Sequence, residues 1–155
     1  MKKIIISAMS KDQTIGYKGR LPWHIKEEYQ HFLDCVKGNT MIMGRKSWEV
    51  FGGDVDSQVN IMLSRKEGSD EVLSCTSLEE AIATAEKYEG DCFIAGGAEI
   101  YKLALEKNLV DEMWLSEVDL NVMGDVFFPD YDKSKWAVRQ QENRGSYIFR
   151  RFIHT

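Results

Sequence analysis

The chain of 155 residues is 43% hydrophobic and 29% charged, which fits one globular domain with a sizeable core. Its net charge of −5 offers no general attraction to nucleic acid or anionic membranes, and no apolar run approaches the roughly 20 residues of a membrane span. Cys35, Cys75 and Cys92 form no C-x-x-C pair and His24, His31 and His154 lack ligand spacing, so a disulfide framework and a metal site are not expected, and free thiols suggest the cytoplasm.

In chain order, Ile4-Ile5-Ile6 predicts a buried strand over 3–9. Lys11 and Asp12 cut the apolar run too short for a secretory signal. A loop over 10–24 holds Gly16, Gly19 and Pro22, and a helix over 25–37 carries Ile25, Tyr29, Phe32 and Val36 on its apolar positions. A glycine-hinged loop between a core strand and a helix can cover a pocket. On pattern alone, Glu27-Glu28 read first as first-turn acids favoured by the helix dipole. Beside large apolar groups, Glu28 also suits an acid-binding or proton-handling role.

A short apolar strand is expected over 40–43, a short helix over 45–51 and a strand over 59–63. A polar loop follows from 64 to 70, then a short strand at 71–73. Ser77 with Glu80 three residues on reads as a capping box opening a helix to about Tyr88. A buried strand at 92–95 turns through Gly96-Gly97 into a helix over 98–107. The remainder reads as a strand over 113–120, an extended piece at 125–129, and an antiparallel pair over 136–141 and 146–153. Alternating helices and short apolar strands indicate a mostly parallel sheet covered on both faces. The closely connected last pair must be antiparallel. The expected class is therefore a single α/β domain over 1–155 with a mixed sheet.

Ligands of open α/β sheets bind beyond the carboxyl ends of the parallel strands. Three candidate segments fall there: Gly44-Arg45-Lys46-Ser47, Ser64-Arg65-Lys66 and Gly96-Gly97. Backbone N–H groups at a helix start, hydroxyls and cations bind phosphate, and paired glycines let it approach the backbone. Two phosphate cradles and a spare basic cluster favour NADP over NAD. The G-x-G-x-x-G fingerprint is absent, so a different nucleotide-binding α/β fold is expected.

The chain resembles the dihydrofolate reductases. The matching pieces are Ile15-Gly16, Leu21-Pro22-Trp23, Glu28, Phe32, Met43 to Glu49, Asn60 to Arg65, Ile94 to Tyr101 and Gly124 to Pro129, in family order. The resemblance implies NADPH-dependent reduction of a 7,8-dihydropterin ring, with hydride going to C6 and a proton to N5. It makes Glu28 the buried acid on the pterin's amino-pyrimidine edge, supported by Ser116. Ile6, Phe32 and Ile94 would wall the ring, Trp23 would close over it and bind water, and Ser7 and Ala8 would contact its edges. Residues 15 to 23 would be a mobile loop held closed by Asp125. Ala8, Ile15, Gly16, Arg45, Lys46, Ser47, Ser64, Arg65, Gly96, Gly97, Ala98, Glu99, Ile100, Tyr101 and Asp125 would serve the cofactor. A monomer acting on a small molecule is expected.

One position departs from the family. Gln58 stands where an arginine usually grips the folate tail, and a lost Arg–carboxylate pair costs roughly 1.5–3 kcal/mol. Two alternatives to dihydrofolate reduction follow: reduction of a tail-less dihydropterin, and a non-catalytic nucleotide- or pterin-binding module. Gln58→Arg is expected to lower KM for dihydrofolate and to leave that for a tail-less dihydropterin unchanged; steady-state kinetics on the two substrates check it.

Overall fold

A computed structural model describes residues 1–155. The strands are β1 (Lys3–Met9), β2 (Thr14–Gly16), β3 (Thr40–Gly44), β4 (Val59–Leu63), β5 (Leu73–Cys75), β6 (Cys92–Ile94), β7 (Glu112–Val118), β8 (Val126–Phe127), β9 (Trp136–Asn143) and β10 (Tyr147–His154). The helices are α1 (Lys26–Val36), α2 (Arg45–Phe51), α3 (Leu78–Ala85) and α4 (Ala98–Glu106). Eight strands form one sheet in the order β5-β4-β3-β6-β1-β7-β10-β9. Neighbours from β5 to β7 pair in parallel, while β10 runs antiparallel to both β7 and β9. No helix is long and apolar enough to cross a membrane.

Both sheet faces are apolar because helices cover both. In register, Ile5 pairs with Ile94 and Ile94 with Ile42. These three share a cluster with Leu78, Ala81, Ile82 and Ala85 of α3 and with Tyr101 and Ala104 of α4. Ile4, Ile6, Met41, Met43 and Phe93 face the other way and pack with Val36 of α1. Phe32 and Cys35 of α1 and Trp48 and Phe51 of α2 join that second cluster. Ser77 caps α3 as expected, accepting from the Glu80 amide at 3.1 Å. The Glu80 carboxylate reaches back to Thr76 rather than Ser77, taking both its amide and hydroxyl at 3.0 Å.

Two local features differ from expectation. The short strand lies at Leu73–Cys75 rather than 71–73 because it is in register with Ile61 to Leu63 of β4. The loop after β1 contains a strand, β2, which pairs antiparallel with β8 in a separate two-stranded sheet. Elements of two or three residues carry too few side chains for a readable period.

Glu112 on β7 is 5% exposed. It lies 3.1 Å from the Lys2 ammonium and 2.8 Å from Arg151 Nε, and accepts from the Trp114 indole at 3.1 Å. Burial pushes its carboxyl upward, but the Trp114 and Lys2 hydrogen bonds and the Arg151 charge outweigh this and hold it below the ordinary carboxylate range. Its stabilising contribution is therefore present above that range and lost as pH falls through the depressed value. Glu112→Gln is expected to lower unfolding free energy by about 1–3 kcal/mol near neutral pH. The deficit, followed by urea denaturation, should shrink in acid.

Candidate active site

A cleft opens beyond the carboxyl ends of β1, β3 and β6. Strand residues Ile6, Ser7, Ala8 and Met43 contribute to it together with Ala95 just past β6, with Gly96, Gly97 and Tyr101 on the cofactor side expected from sequence. Helix α1 presents Glu28, Tyr29 and Phe32, α2 presents Ser47 and Phe51, and the loop over 10–24 contributes Ile15 and Leu21. Glu28 is the sole charged residue in this lining.

Glu28 begins in the first turn of α1, where a carboxylate is favoured by unpaired N–H groups. The helix packs Phe32 and Val36 against the sheet, and that rotation carries Glu28 inside, leaving it 5% exposed. Burial raises its pKa from the ordinary glutamate value to about 7, opposed by a hydrogen bond from Ser116. Ser116 is itself buried on β7, in register with Ala8. A carboxyl poised at neutrality can both accept hydrogen bonds and handle a proton.

The Gly96-Gly97 turn approaches the backbone of β3, with the Gly44 amide donating to the Gly96 carbonyl at 2.8 Å. Gly96 has φ +117°, and a side chain there would come within 3.3 Å of the Tyr101 hydroxyl. That hydroxyl donates to the Ile6 carbonyl at 2.7 Å, tying α4 to the strand beneath the cleft. Ala98 begins α4 immediately after this turn, with Glu99 exposed and Ile100 against Gly44. Parallel pairing sets Gly44 beside Leu63, which brings Arg45, Lys46 and Ser47 to the same sheet edge as Ser64 and Arg65. Lys46 and Arg65 are exposed, while Arg45 is 2.9 Å from Glu49. Glycine-lined backbone with hydroxyls and cations around it matches the chemistry of a phosphorylated dinucleotide.

The loop carrying Ile15 is held by a second loop. The Asp125 amide donates to the Gly16 carbonyl at 3.0 Å, and the Asp125 carboxylate accepts from the Lys18 amide at 3.0 Å. Gly16 and Val126 are partners in the β2–β8 pair.

Three residues expected at the substrate lie outside the cleft lining. Ile94 is fully buried with Ile5 and Ile42 on the α3–α4 face; Ala95 lines the cleft instead. Successive strand residues face opposite sides, so a one-residue slip inverts the assignment. Trp23 lies outside the lining and packs beside Ile25 and Trp114 on Val118, Tyr147 and Phe149. Gln58 is exposed and also outside the lining, its backbone amide engaged with the Asn39 carbonyl just before β4. Sequence reading missed Leu21, Tyr29, Met43, Phe51 and Ala95 as cleft residues. Strand periodicity offered a signal for Met43 and Ala95, since both continue the face of Ile6.

The fold and cleft define an α/β nucleotide-binding protein with a buried acid beside a glycine-lined cradle. The family model described as dihydrofolate reductase matches residues 3–149. The dihydrofolate reductase of Neisseria gonorrhoeae is 35% identical over 150 residues, covering 93% of this chain and 89% of that protein. The dihydrofolate reductase of Buchnera aphidicola subsp. Baizongia pistaciae is 32% identical over 136 residues, covering 86% and 81%. Among solved structures, dihydrofolate reductase from Enterococcus faecalis complexed with NADP(H) and RAB-propyl aligns with a TM-score of 0.87 at 26% identity. That alignment covers 99% of this chain and 96% of the other. The chain belongs to the dihydrofolate reductase family.

Proposed function

We infer that the protein catalyses NADPH-dependent reduction of 7,8-dihydrofolate to 5,6,7,8-tetrahydrofolate. The observation that carries this reading is Glu28, a buried carboxyl with a pKa of about 7 in a cleft bounded by the Gly96-Gly97 cradle. NADPH supplies the hydride that reduces pterin C6. Arg45, Lys46, Ser47, Ser64, Arg65 and residues 96–101 would hold it.

The chain's own residues orient the substrate and control a proton. Glu28 binds the amino-pyrimidine edge of the pterin, with Ser116 fixing the carboxyl. Ile6, Ala8 and Phe32 supply apolar surface to the ring, and Ile15 limits water entry from the loop side. Charge arising on the ring during reduction is balanced by Glu28, which also sustains delivery of a proton to N5. The free cysteines suit a reducing compartment, and we place the protein in the cytoplasm as a monomer without a nucleic-acid partner.

Mixing the protein with NADPH and dihydrofolate should deplete the NADPH absorbance. Turnover should fall as pH rises through about 7, because the protonated form of Glu28 is lost there. Absence of NADPH oxidation with dihydrofolate and with tail-less dihydropterins would overturn the reading.

A further inference from the structure

Outward from Glu28, the cleft changes character. Glu28 is 5% exposed, its neighbour Tyr29 is half-buried, and Asp54 is exposed. The Tyr29 hydroxyl donates to the Asp54 carboxylate at 2.6 Å. Burial and Asp54 both raise the Tyr29 pKa, so the phenol remains a donor at neutral pH. The Tyr29 ring lies 6.0 Å from Phe32 and 6.2 Å from Phe51, centre to centre. All three aromatics line the cleft. Asp54 closes the short 3₁₀ turn Gly52–Asp54 that follows Phe51. The outer end of the cleft is thus an aromatic wall finished by a carboxylate, and no lysine or arginine lines the cleft.

We propose that the Tyr29–Asp54 pair determines specificity for the substrate's extension, accepting a flat aromatic group and disfavouring negative charge beyond it. This rests on the pterin-reductase reading above. With the pterin edge on Glu28, the p-aminobenzoyl ring of dihydrofolate runs outward along Tyr29, Phe32 and Phe51. Its glutamate carboxylates then approach Asp54, and like charges at such a partly solvated rim repel modestly. Uncharged or cationic extensions meet no such opposition. Specificity of this kind comes from a repulsive element rather than an added grip.

The experiment compares KM for dihydrofolate with KM for dihydropteroate, which has the same rings and no glutamate. The wild-type protein should show a KM for dihydropteroate equal to or below that for dihydrofolate. Asp54→Asn should lower the ratio of dihydrofolate KM to dihydropteroate KM roughly three- to tenfold. Added salt should lower the same ratio in the wild-type protein and do so less in Asp54→Asn. Tyr29→Phe retains the charge and should keep the ratio at or above its wild-type value. A ratio that stays within twofold in Asp54→Asn, or a wild-type KM for dihydrofolate tenfold below that for dihydropteroate, overturns the proposal while leaving the reductase reading intact. Failure of the wild-type protein to oxidise NADPH with either substrate overturns both.

Discussion

Glu28→Gln should abolish most turnover at neutral pH and at the same time stabilise the fold. The amide keeps the size of the side chain but can neither carry charge nor exchange a proton with the substrate's surroundings. Loss of general acid–base assistance typically costs 10²–10⁴-fold in rate, and single-turnover measurements at neutral pH should show a drop of at least roughly 100-fold. The remaining rate should lose its dependence on pH around 7. Stability should move in the opposite direction. Burial raises the folded-state pKa of Glu28 to about 7, so below the unfolded value both states hold the proton and there is no penalty. As pH rises towards 7, the unfolded chain ionises first and folding loses stability. Gln escapes this loss. At pH values above 7 the variant should be more stable by up to about 3 kcal/mol, with the gain vanishing at the acid end. Denaturation curves across pH measure it, and an equal gain at all pH values would contradict the ionisation assigned to Glu28.

The next largest effect is expected at Gly124. A Cβ added there would collide with Thr14 Cγ2 and sit 2.6 Å from Thr14 Oγ1. Thr14 is fully buried and branched at Cβ, so it has little freedom to turn aside. Gly124→Ala must therefore shift one loop against the other. The pairing of β2 with β8 and the Asp125 contacts to Gly16 and Lys18 lie directly beside the clash. Losing them releases the loop that carries Ile15 over the cleft, admitting water and loosening the reacting geometry. We expect roughly a 10- to 100-fold slower hydride step, with the main sheet's unfolding midpoint little changed. Pre-steady-state NADPH oxidation and thermal unfolding separate the two effects. Thr14→Ala combined with Gly124→Ala removes the two closest clashes but leaves Thr14 Cβ 2.9 Å away, so it should restore only part of the rate. An unslowed single variant would show that this contact does not hold the loop.

The parts legible in sequence were those with redundant physical signals. Ile4-Ile5-Ile6, the cap at Ser77 and the Gly96-Gly97 turn each combine composition, spacing and termination. They place the central strand, the start of α3 and the glycine turn within a residue or two, while α3 ends at Ala85, short of the expected Tyr88. Glu28 was ambiguous by pattern because first-turn acids are common, and only the packing of Phe32 and Val36 establishes that its face is buried. The orientation of Ile94 is hidden in the sequence for a different reason. A strand covered by helices on both faces is apolar on both faces, so Cys92, Phe93 and Ile94 contain no polarity alternation to reveal which residue meets the ligand. The β2–β8 pair and the Tyr29–Asp54 hydrogen bond join segments far apart in the chain. No local rule encodes such meetings.

The sheet order also governs how the molecule comes into being. β1 occupies an interior place in the sheet, and its partners come much later in the chain: Lys3 pairs with Cys92, and Ile4 with Glu112. The apolar Ile4-Ile5-Ile6 segment must remain unsatisfied, or be shielded by other factors, until most of the chain has emerged from the ribosome. Pairings this distant slow folding and prolong exposure of sticky strand edges. Substitutions that weaken β6 or β7 should consequently reduce the yield of soluble protein in cells more than they impair the molecules that do fold.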